Sequence, residues 1–294
     1  MPESESLPPE SLIAQLKTLL DVEEIDRDLH RGARLEGGMG RVFGGQVIGQ
    51  ALVAASRSVE PERPIHSLHA YFVRPGDDAL PIIYRVMRDH DGRSFATRRV
   101  IAMQRGLPIL NLAASFQRGE AGMAHQADMP KVPLPEDLQT DADQYRAHGQ
   151  AIPAARARWL LRGRPIEIRP VTPRFPVESR PRAAAQQLWF RAAAPLGDDP
   201  LIHRAVLAYA SDMALLGTSL FPHGVDWMTH DLQSASLDHA LWFHEDFRAD
   251  DWLLYAMDSP WAGHGRGFNR GSIFTRDGRL VASATQEGLI RLRE

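Results

Sequence analysis

Cysteine is absent from the 294-residue chain. Its absence excludes disulfide bonds, thiolate nucleophiles and every zinc or iron–sulfur site that depends on cysteine ligands. The chain also lacks any run of about 20 apolar residues, the length that a membrane-spanning helix needs, so no membrane span is expected. The N-terminal residues MPESESLPPE lack the basic and apolar regions of a secretory signal, and we therefore expect a cytoplasmic protein.

A large excess of charge of one sign is missing as well. The formal net charge is −3, which gives no reason to expect nucleic acid or an anionic membrane as a partner. With 44% hydrophobic and 24% charged residues, the composition is typical of a globular protein. The length suggests about two domains of ordinary size.

The chain does contain two halves that repeat one order of elements. In the first half, apolar residues at helical spacing predict a helix over residues 44–59, and four strand-like runs follow it within residues 67–117. In the second half, a strand near residues 186–193 precedes a helix over residues 200–220, and four more strand-like runs follow. Asp199 is expected to be the N-cap of this second helix.

The repeat and the segment between the halves define the expected domains. HAYFV, which begins at His69, matches HALWF, which begins at His239. Residues 119–153 are polar, contain proline and lack sustained periodicity, so they are predicted to be a linker. The expected domains are residues 1–118 and 154–294, each an α+β unit in which an antiparallel sheet wraps around one helix. Two such units in one chain are expected to pair their sheets side by side.

The polar run QSASLDHALWFHEDF, residues 233–247, first suggests a metal site or a catalytic dyad. His239 and His244 are five residues apart, however, so on a strand they point to opposite faces and cannot share one ion. No HExxH motif occurs, and neither GTSLF nor RGSIF has the glycines of a G-x-S-x-G nucleophile elbow. Metal-dependent chemistry and serine-hydrolase chemistry are therefore both poorly supported.

Two polar residues stand where packing is expected. Asp212 lies at the margin of the apolar stripe of the second helix, whereas the first helix carries no acidic residue. A carboxylate there must find hydrogen bonds or raise its pKa, which suits a general base that holds a water, although a satisfied buried aspartate is the commoner case. Gln286 shares a strand face with small residues, and a glutamine bonded to backbone is an equally good interpretation.

Five motifs occur in order along the chain, from about Val42 to Arg291: FGGQVIGQALVAA, HSLHAYFVRPGD, HRAVLAYASD, SLDHALWFH and SATQEGLIR. Together they resemble the acyl-CoA thioesterase II family, whose members are double hot-dog proteins. The resemblance implies two tandem hot-dog units, each a long central helix wrapped by an antiparallel β-sheet. It also implies an enzyme of lipid metabolism that hydrolyses fatty acyl-CoA, of medium to long chain, to free fatty acid and CoA.

The same resemblance assigns roles to three residues. In the family an Asp on the second helix, a Thr or Ser in (T/S)-x-D-H and the Gln of QEG hold and activate the hydrolytic water, and these match Asp212, Ser236 and Gln286. The resemblance implies direct attack by water without an acyl-enzyme, no cofactor, one active site per chain and a catalytically degenerate first half. Relatives often assemble further, so a homo-oligomer is also expected.

The position of Ser236 conflicts with simple strand alternation. Period-two alternation places Leu237 and Leu241 on the face opposite Ser236. Either a bulge lies near the start of this strand, or Ser236 precedes the strand.

Two other functions stay open at this point. LGDDPLIH, residues 196–203, resembles a segment of hot-dog (R)-specific enoyl-CoA hydratases, in which Asp198 and His203 would be the acid and the base. Asp199 stands where asparagine is usual in that segment, and an extra Ile202 precedes His203. A non-catalytic acyl-CoA-binding protein is the other alternative, and the retention of all three water-holding residues argues against it.

Overall fold

The computed structural model describes residues 7–34, 40–148, 163–173, 180–227 and 230–293. Its helices are α1 (Pro9–Leu20), α2 (Gly44–Ser56), α3 (Asp141–His148) and α4 (Pro200–Ser211), with 3₁₀ segments at Pro135–Asp137 and Leu215–His223. Its strands are β1 (Val22–Asp26), β2 (Leu29–Gly32), β3 (Ile65–Phe72), β4 (Ile82–Asp91), β5 (Phe95–Gln104), β6 (Leu107–Gln117), β7 (Ile166–Pro170), β8 (Ala185–Ala192), β9 (Leu232–Ser236), β10 (Asp238–Phe243), β11 (Leu253–Gly263), β12 (Arg266–Thr275) and β13 (Leu280–Leu292).

All strands join one antiparallel sheet whose two halves mirror each other. The order is β1-β2-β4-β5-β6-β3 followed by β10-β13-β12-β11-β8-β7, with β9 added beside β13. The halves meet at β3 and β10, where Ala70 lies opposite His239 and Leu68 opposite Leu241. This arrangement confirms the predicted α+β double hot-dog and the side-by-side pairing of its two sheets. The sequence did not predict α1, β1 and β2: the two strands extend the edge of the first half, and α1 packs on α2.

Helix α2 lies in the interior and is enclosed on all sides. Every residue from Gly45 to Ala55 is buried, because α2 packs against the sheet on one side and against α4 and α1 on others. The helix ends at Ser56, three residues before the end of the predicted helix over residues 44–59. Its buried surface extends around the whole helix and is wider than the one apolar face that the sequence pattern predicted. Two buried glutamines, Gln46 and Gln50, satisfy their amides with the carbonyl oxygen of Ala33 and, for Gln50, with the Tyr84 hydroxyl.

Helix α4 begins as predicted and ends earlier than predicted. The Asp199 carboxylate caps it by accepting a hydrogen bond from the Leu201 N–H at 2.9 Å. The α-helix stops at Ser211, and the chain continues as the 3₁₀ segment Leu215–His223. This segment lies so close to the sheet that a Cβ on Gly288 would lie 2.3 Å from Leu216.

One described stretch, Pro200–His223, has the length and mean hydropathy of a membrane span, at 1.2. Most of it is buried inside the fold, 67% of its most apolar window, because it comprises α4 and the 3₁₀ segment that packs on the sheet. Its apolar character is that of a core helix.

The predicted linker is ordered where the structure describes it, through residue 148, and residues 149–153 lie outside the described residues. It covers the outer face of the second half of the sheet, where its Met129, Val132 and Leu138 pack on a cluster around Trp189 and Phe274. The Trp189 indole N–H donates to the Pro133 carbonyl oxygen at 2.9 Å, and Arg276 forms a bidentate ion pair with Glu136. The bounds 1–118, 119–153 and 154–294 stay a prediction, and β6 ends at Gln117 while β7 begins at Ile166.

Replacement of the indole that anchors the linker should loosen it. Trp189→Phe removes the hydrogen bond to Pro133 and part of a buried ring, so we expect a loss of about 2 kcal/mol in the free energy of unfolding. Urea denaturation measures this loss, and Trp261→Phe is the matched control because Trp261 is 43% exposed and lies away from the linker cluster. Equal losses in the two variants would contradict the anchoring role of Trp189.

Candidate active site

Three side chains predicted from the sequence to act together do meet in the fold. The Gln286 amide Nε2 donates to Asp212 Oδ1 at 2.6 Å and to Ser236 Oγ at 3.0 Å. Ser236 Oγ in turn lies 3.4 Å from Asp212 Oδ1. Gln286 is completely buried, and its amide bonds to side chains, so the alternative of a glutamine satisfied by backbone is wrong.

Asp212 and Gln286 are brought to the site by two different elements, helix α4 and strand β13. Asp212 is the C-cap of α4, one residue beyond its last helical residue. Gln286 lies in the middle of β13, opposite Asn269 of β12. The small residues Ala282 and Ala284 share its buried face of β13.

The position of Ser236 follows from a break between two short strands. Ser236 is the last residue of β9 and pairs with Gly288, whereas Ala240 of β10 pairs with Thr285 of the same strand. From Ser236 to Ala240 the chain advances four residues, whereas their partners Gly288 and Thr285 are only three residues apart, so the register slips by one residue between β9 and β10. This bulge, at Leu237, turns Ser236 towards Gln286 and resolves the conflict with strand alternation.

The first half of the chain also contributes to this site, which sequence reasoning missed. The backbone N–H of Gly45, near the start of α2, donates to Asp212 Oδ2 at 2.9 Å. The aromatic ring of Phe72, at the end of β3, lies beside Gly44 at the same place. The available signal was the Gly44-Gly45 pair at the start of the predicted first helix.

The surroundings of Asp212 favour its neutral form. Its carboxyl group is half-buried and is enclosed by protein atoms on most sides, and the resulting desolvation raises its pKa from 3.8 to about 6. The hydrogen bonds from Gln286, Gly45 and Ser236 act in the opposite direction and limit the rise. A carboxyl group with a pKa near 6 is mostly ionised at neutral pH and is a better proton acceptor than an ordinary aspartate.

The two histidines of the polar run lie apart. His239 is completely buried, with Nε2 2.9 Å from Ser211 Oγ, and burial lowers its pKa to about 4. His244 lies on the other side of the sheet, with Nε2 2.9 Å from Ser283 Oγ. Across the described ranges, no group of three or more His, Asp or Glu side chains is placed to hold a metal ion.

The acid–base pair of the hydratase alternative does not form. His203 is buried, and both of its ring nitrogens face backbone: Nδ1 accepts from the Ala249 N–H at 3.0 Å, and Nε2 lies 2.9 Å from the Gly197 carbonyl oxygen. The Asp198 side chain is 95% exposed and pairs with Arg248 instead. His203 is therefore a structural residue that ties α4 to the loop before β11.

Both halves of the chain match families that are named for one activity. Residues 35–117 match the acyl-CoA thioesterase N-terminal domain, and residues 164–289 match the acyl-CoA thioesterase family. The chain is 45% identical over 285 residues to the Homo sapiens acyl-coenzyme A thioesterase 8, an alignment that covers 94% of this chain and 88% of that protein. The chain belongs to the acyl-CoA thioesterase family.

A bacterial relative and one solved structure agree with this membership, and a second solved structure shares the fold. The thioesterase is 38% identical to acyl-CoA thioesterase 2 of Haemophilus influenzae, over 96% of this chain and 99% of that protein. It superimposes on an acyl-CoA thioesterase II of Mycobacterium marinum with a TM-score of 0.78 at 41% identity, covering 95% and 99% of the two chains. A hot-dog protein of Alicyclobacillus acidocaldarius, with a TM-score of 0.73 and 20% identity over 95% and 99% of the two chains, shows the fold alone.

The raised pKa of Asp212 makes the stability of the thioesterase depend on pH. Because the folded-state pKa lies above the unfolded value, the stability associated with this group is fully present below pH 4 and is lost as pH rises through about 6. We expect Asp212→Asn to gain about 2 kcal/mol relative to the wild type on going from pH 4 to pH 8, a figure reduced for partial solvent exposure. Thermal unfolding across this pH range measures the difference, and the exposed Asp198→Asn is the control. A difference between Asp212→Asn and the wild type that does not change with pH would contradict the raised pKa.

Proposed function

We propose that Asp212, Ser236 and Gln286 hold and activate the water molecule that hydrolyses acyl-CoA in this thioesterase. The observation that carries the proposal is the half-buried Asp212 carboxylate, which is held by donors from three separate elements and has a pKa near 6. Such a group is oriented, reachable and basic enough to take a proton from water. The Ser236 hydroxyl and the Gln286 amide are close enough to the carboxylate to fix the position of that water.

The proposed reaction is direct attack by water, an addition to the thioester carbonyl followed by elimination: the carbonyl electron pair moves to the oxygen in the first step and re-forms the C=O bond in the second. Asp212 takes a proton from water while the water oxygen forms a bond to the thioester carbonyl carbon. The C–S bond then breaks, CoA leaves as the thiolate, and the proton held by Asp212 is available to it. A thiol of pKa about 8.5 is a good leaving group, so this step needs little acid catalysis. The products are free fatty acid and CoA, and no covalent enzyme intermediate or cofactor takes part.

Removal of the carboxylate tests this assignment. We expect Asp212→Asn to fold and to lose a factor of about 10²–10⁴ in kcat, because general base catalysis contributes on this order. Ser236→Ala and Gln286→Leu should lose less, since each removes a positioning contact and leaves the base. Release of CoA from acyl-CoA, followed with a thiol reagent, measures all three, and Asp198→Asn should match the wild type. Near wild-type turnover by Asp212→Asn would remove Asp212 from the mechanism.

In the wild type, kcat should fall as pH drops below about 6, since protonated Asp212 cannot accept a proton.

Fatty acyl groups of medium to long chain are the proposed substrates. The surroundings of Asp212 are rich in apolar side chains: the Phe72 ring lies beside Gly44, and the Phe43 ring meets Tyr209 edge to face at a centroid distance of 5.1 Å. An apolar environment of this kind favours an aliphatic chain over a short or polar acyl group.

A panel of saturated acyl-CoA esters from short to long chain tests this preference. We expect kcat/KM to rise with chain length, because each buried methylene adds binding free energy of about 0.8 kcal/mol. A maximum at the shortest ester would contradict the proposal. Crotonyl-CoA belongs in the same panel, since loss of its enoyl absorbance without thiol release would indicate a hydratase. Binding without turnover across the whole panel would indicate a non-catalytic acyl-CoA-binding protein.

A cytoplasmic location and a homo-oligomer both stay predictions.

A further inference from the structure

We propose that the first half of the chain is a working part of the active site, in which the N-terminus of α2 positions Asp212. The Gly45 N–H is the donor that holds the carboxylate, and Gly44 is the residue whose lack of a side chain lets the carboxylate reach that donor. Both act through Asp212 and are positioning residues. The proposal rests on the role given above to Asp212 and gives the first half, expected to be catalytically degenerate, a function in the same site.

Helix α2 has no N-cap side chain of its own. Its N-cap residue is Phe43, whose side chain has no oxygen to accept a hydrogen bond, whereas α4 is capped by the side chain of its own Asp199. The first N–H groups of any helix lack partners within the helix and need an acceptor from elsewhere. Asp212 supplies that acceptor to α2 from a position 167 residues further along the chain. The carboxylate thereby also lies at the positive end of the α2 helix dipole.

The glycines at the start of α2 are a geometric requirement of this contact. A Cβ on Gly44 would lie 2.6 Å from Asp212 Oδ2 and 2.9 Å from the Phe72 ring, which is too close for either. A Cβ on Gly45 would lie 2.3 Å from the carbonyl oxygen of Tyr209, three residues before Asp212. The helix can therefore place its first turn directly against the last turn of α4 only because both residues lack side chains.

Each half of the chain donates hydrogen bonds to a different oxygen of the Asp212 carboxylate. Oδ1 accepts from Gln286 and Ser236 of the second half, and Oδ2 accepts from Gly45 of the first half. Donors on both oxygens fix the plane of the carboxylate as well as its position. The Gly45 bond also lowers the pKa of Asp212, in opposition to desolvation, and so keeps more of the base ionised at neutral pH.

Within the described residues the reverse arrangement, an acid at the end of α2 that caps α4, does not occur. Thirteen residues separate the N-cap Asp199 from Asp212, and the same spacing from Phe43 leads to Ser56 at the end of α2. Ser56 carries no acid, and the first N–H groups of α4 are already served by Asp199. The two halves of the chain therefore differ at both ends of their central helices, although their strands follow the same order.

A pair of glycine variants on one helix tests the proposal. In Gly44→Ala the methyl group displaces Asp212 Oδ2 from the Gly45 N–H, so we expect kcat to fall about tenfold with little change in KM. The acid limb of the kcat–pH profile should move to higher pH by about one unit, since a hydrogen bond that lowers the pKa is lost. Gly49→Ala is the matched control, because its methyl group meets the flexible end of Leu20, and the Ala205 carbonyl oxygen at 3.3 Å, away from Asp212. It should lose stability without any shift of the acid limb.

Hydrogen exchange gives a second readout that does not depend on turnover or on the folding of Gly44→Ala. Asp212→Asn keeps a side-chain oxygen that can accept from the Gly45 N–H, whereas Asp212→Ala removes the cap. We expect amide exchange in the first turn of α2 to be about tenfold faster in Asp212→Ala than in Asp212→Asn.

The outcomes separate this proposal from the proposed function. Active Asp212→Asn would defeat the assignment of the base, while the exchange result would still report the contact with α2. Inactive Asp212→Asn, together with equal pH profiles for Gly44→Ala and Gly49→Ala or equal exchange in the two Asp212 variants, would overturn the positioning role of α2 alone.

Discussion

Two helices can bring their backbones together only where side chains are absent, and the structure depends on one such approach. At the centre of the fold, Gly45 of α2 lies directly against the Tyr209 carbonyl oxygen of α4. This approach allows one continuous sheet to enclose both helices, and it carries the start of α2 to the end of α4. The polar cluster of Asp212, Ser236 and Gln286 forms at that crossing.

A carboxylate at the crossing carries an energetic cost that the fold accepts. Desolvation raises the pKa of Asp212, and three donors hold the carboxylate in place. The buried His239 is treated differently: burial lowers its pKa, so it stays neutral and serves as a hydrogen-bond partner for Ser211. Asp212 and His239 both lie near the end of α4, but only Asp212 is surrounded by hydrogen-bond donors and retains access to solvent. Asp212 can therefore be ionised, whereas His239 stays neutral.

Several features were predictable because their signals are local. The repeat of helix and strands, the Asp199 cap and the inward face of β13 all follow from spacing within ten to twenty residues. The conflict at Ser236 was also visible, and its cause, a one-residue slip between β9 and β10, needed the pairing of both strands with β13. The packing of the predicted linker on the sheet had no local signal, since the apolar cluster that it covers belongs to strands far along the chain.

The sequence by itself determined the family and the double hot-dog fold and predicted the three polar residues of the candidate site, because ordered motifs and period-specific patterns carry that information. Only the tertiary structure decided that Gly45 holds Asp212 and that His203 is bound by backbone on both nitrogens. A backbone N–H has no sequence signature, and its partner lies 167 residues away. Which side chain meets it is set by the angle and distance between two packed helices, a property that no local pattern encodes.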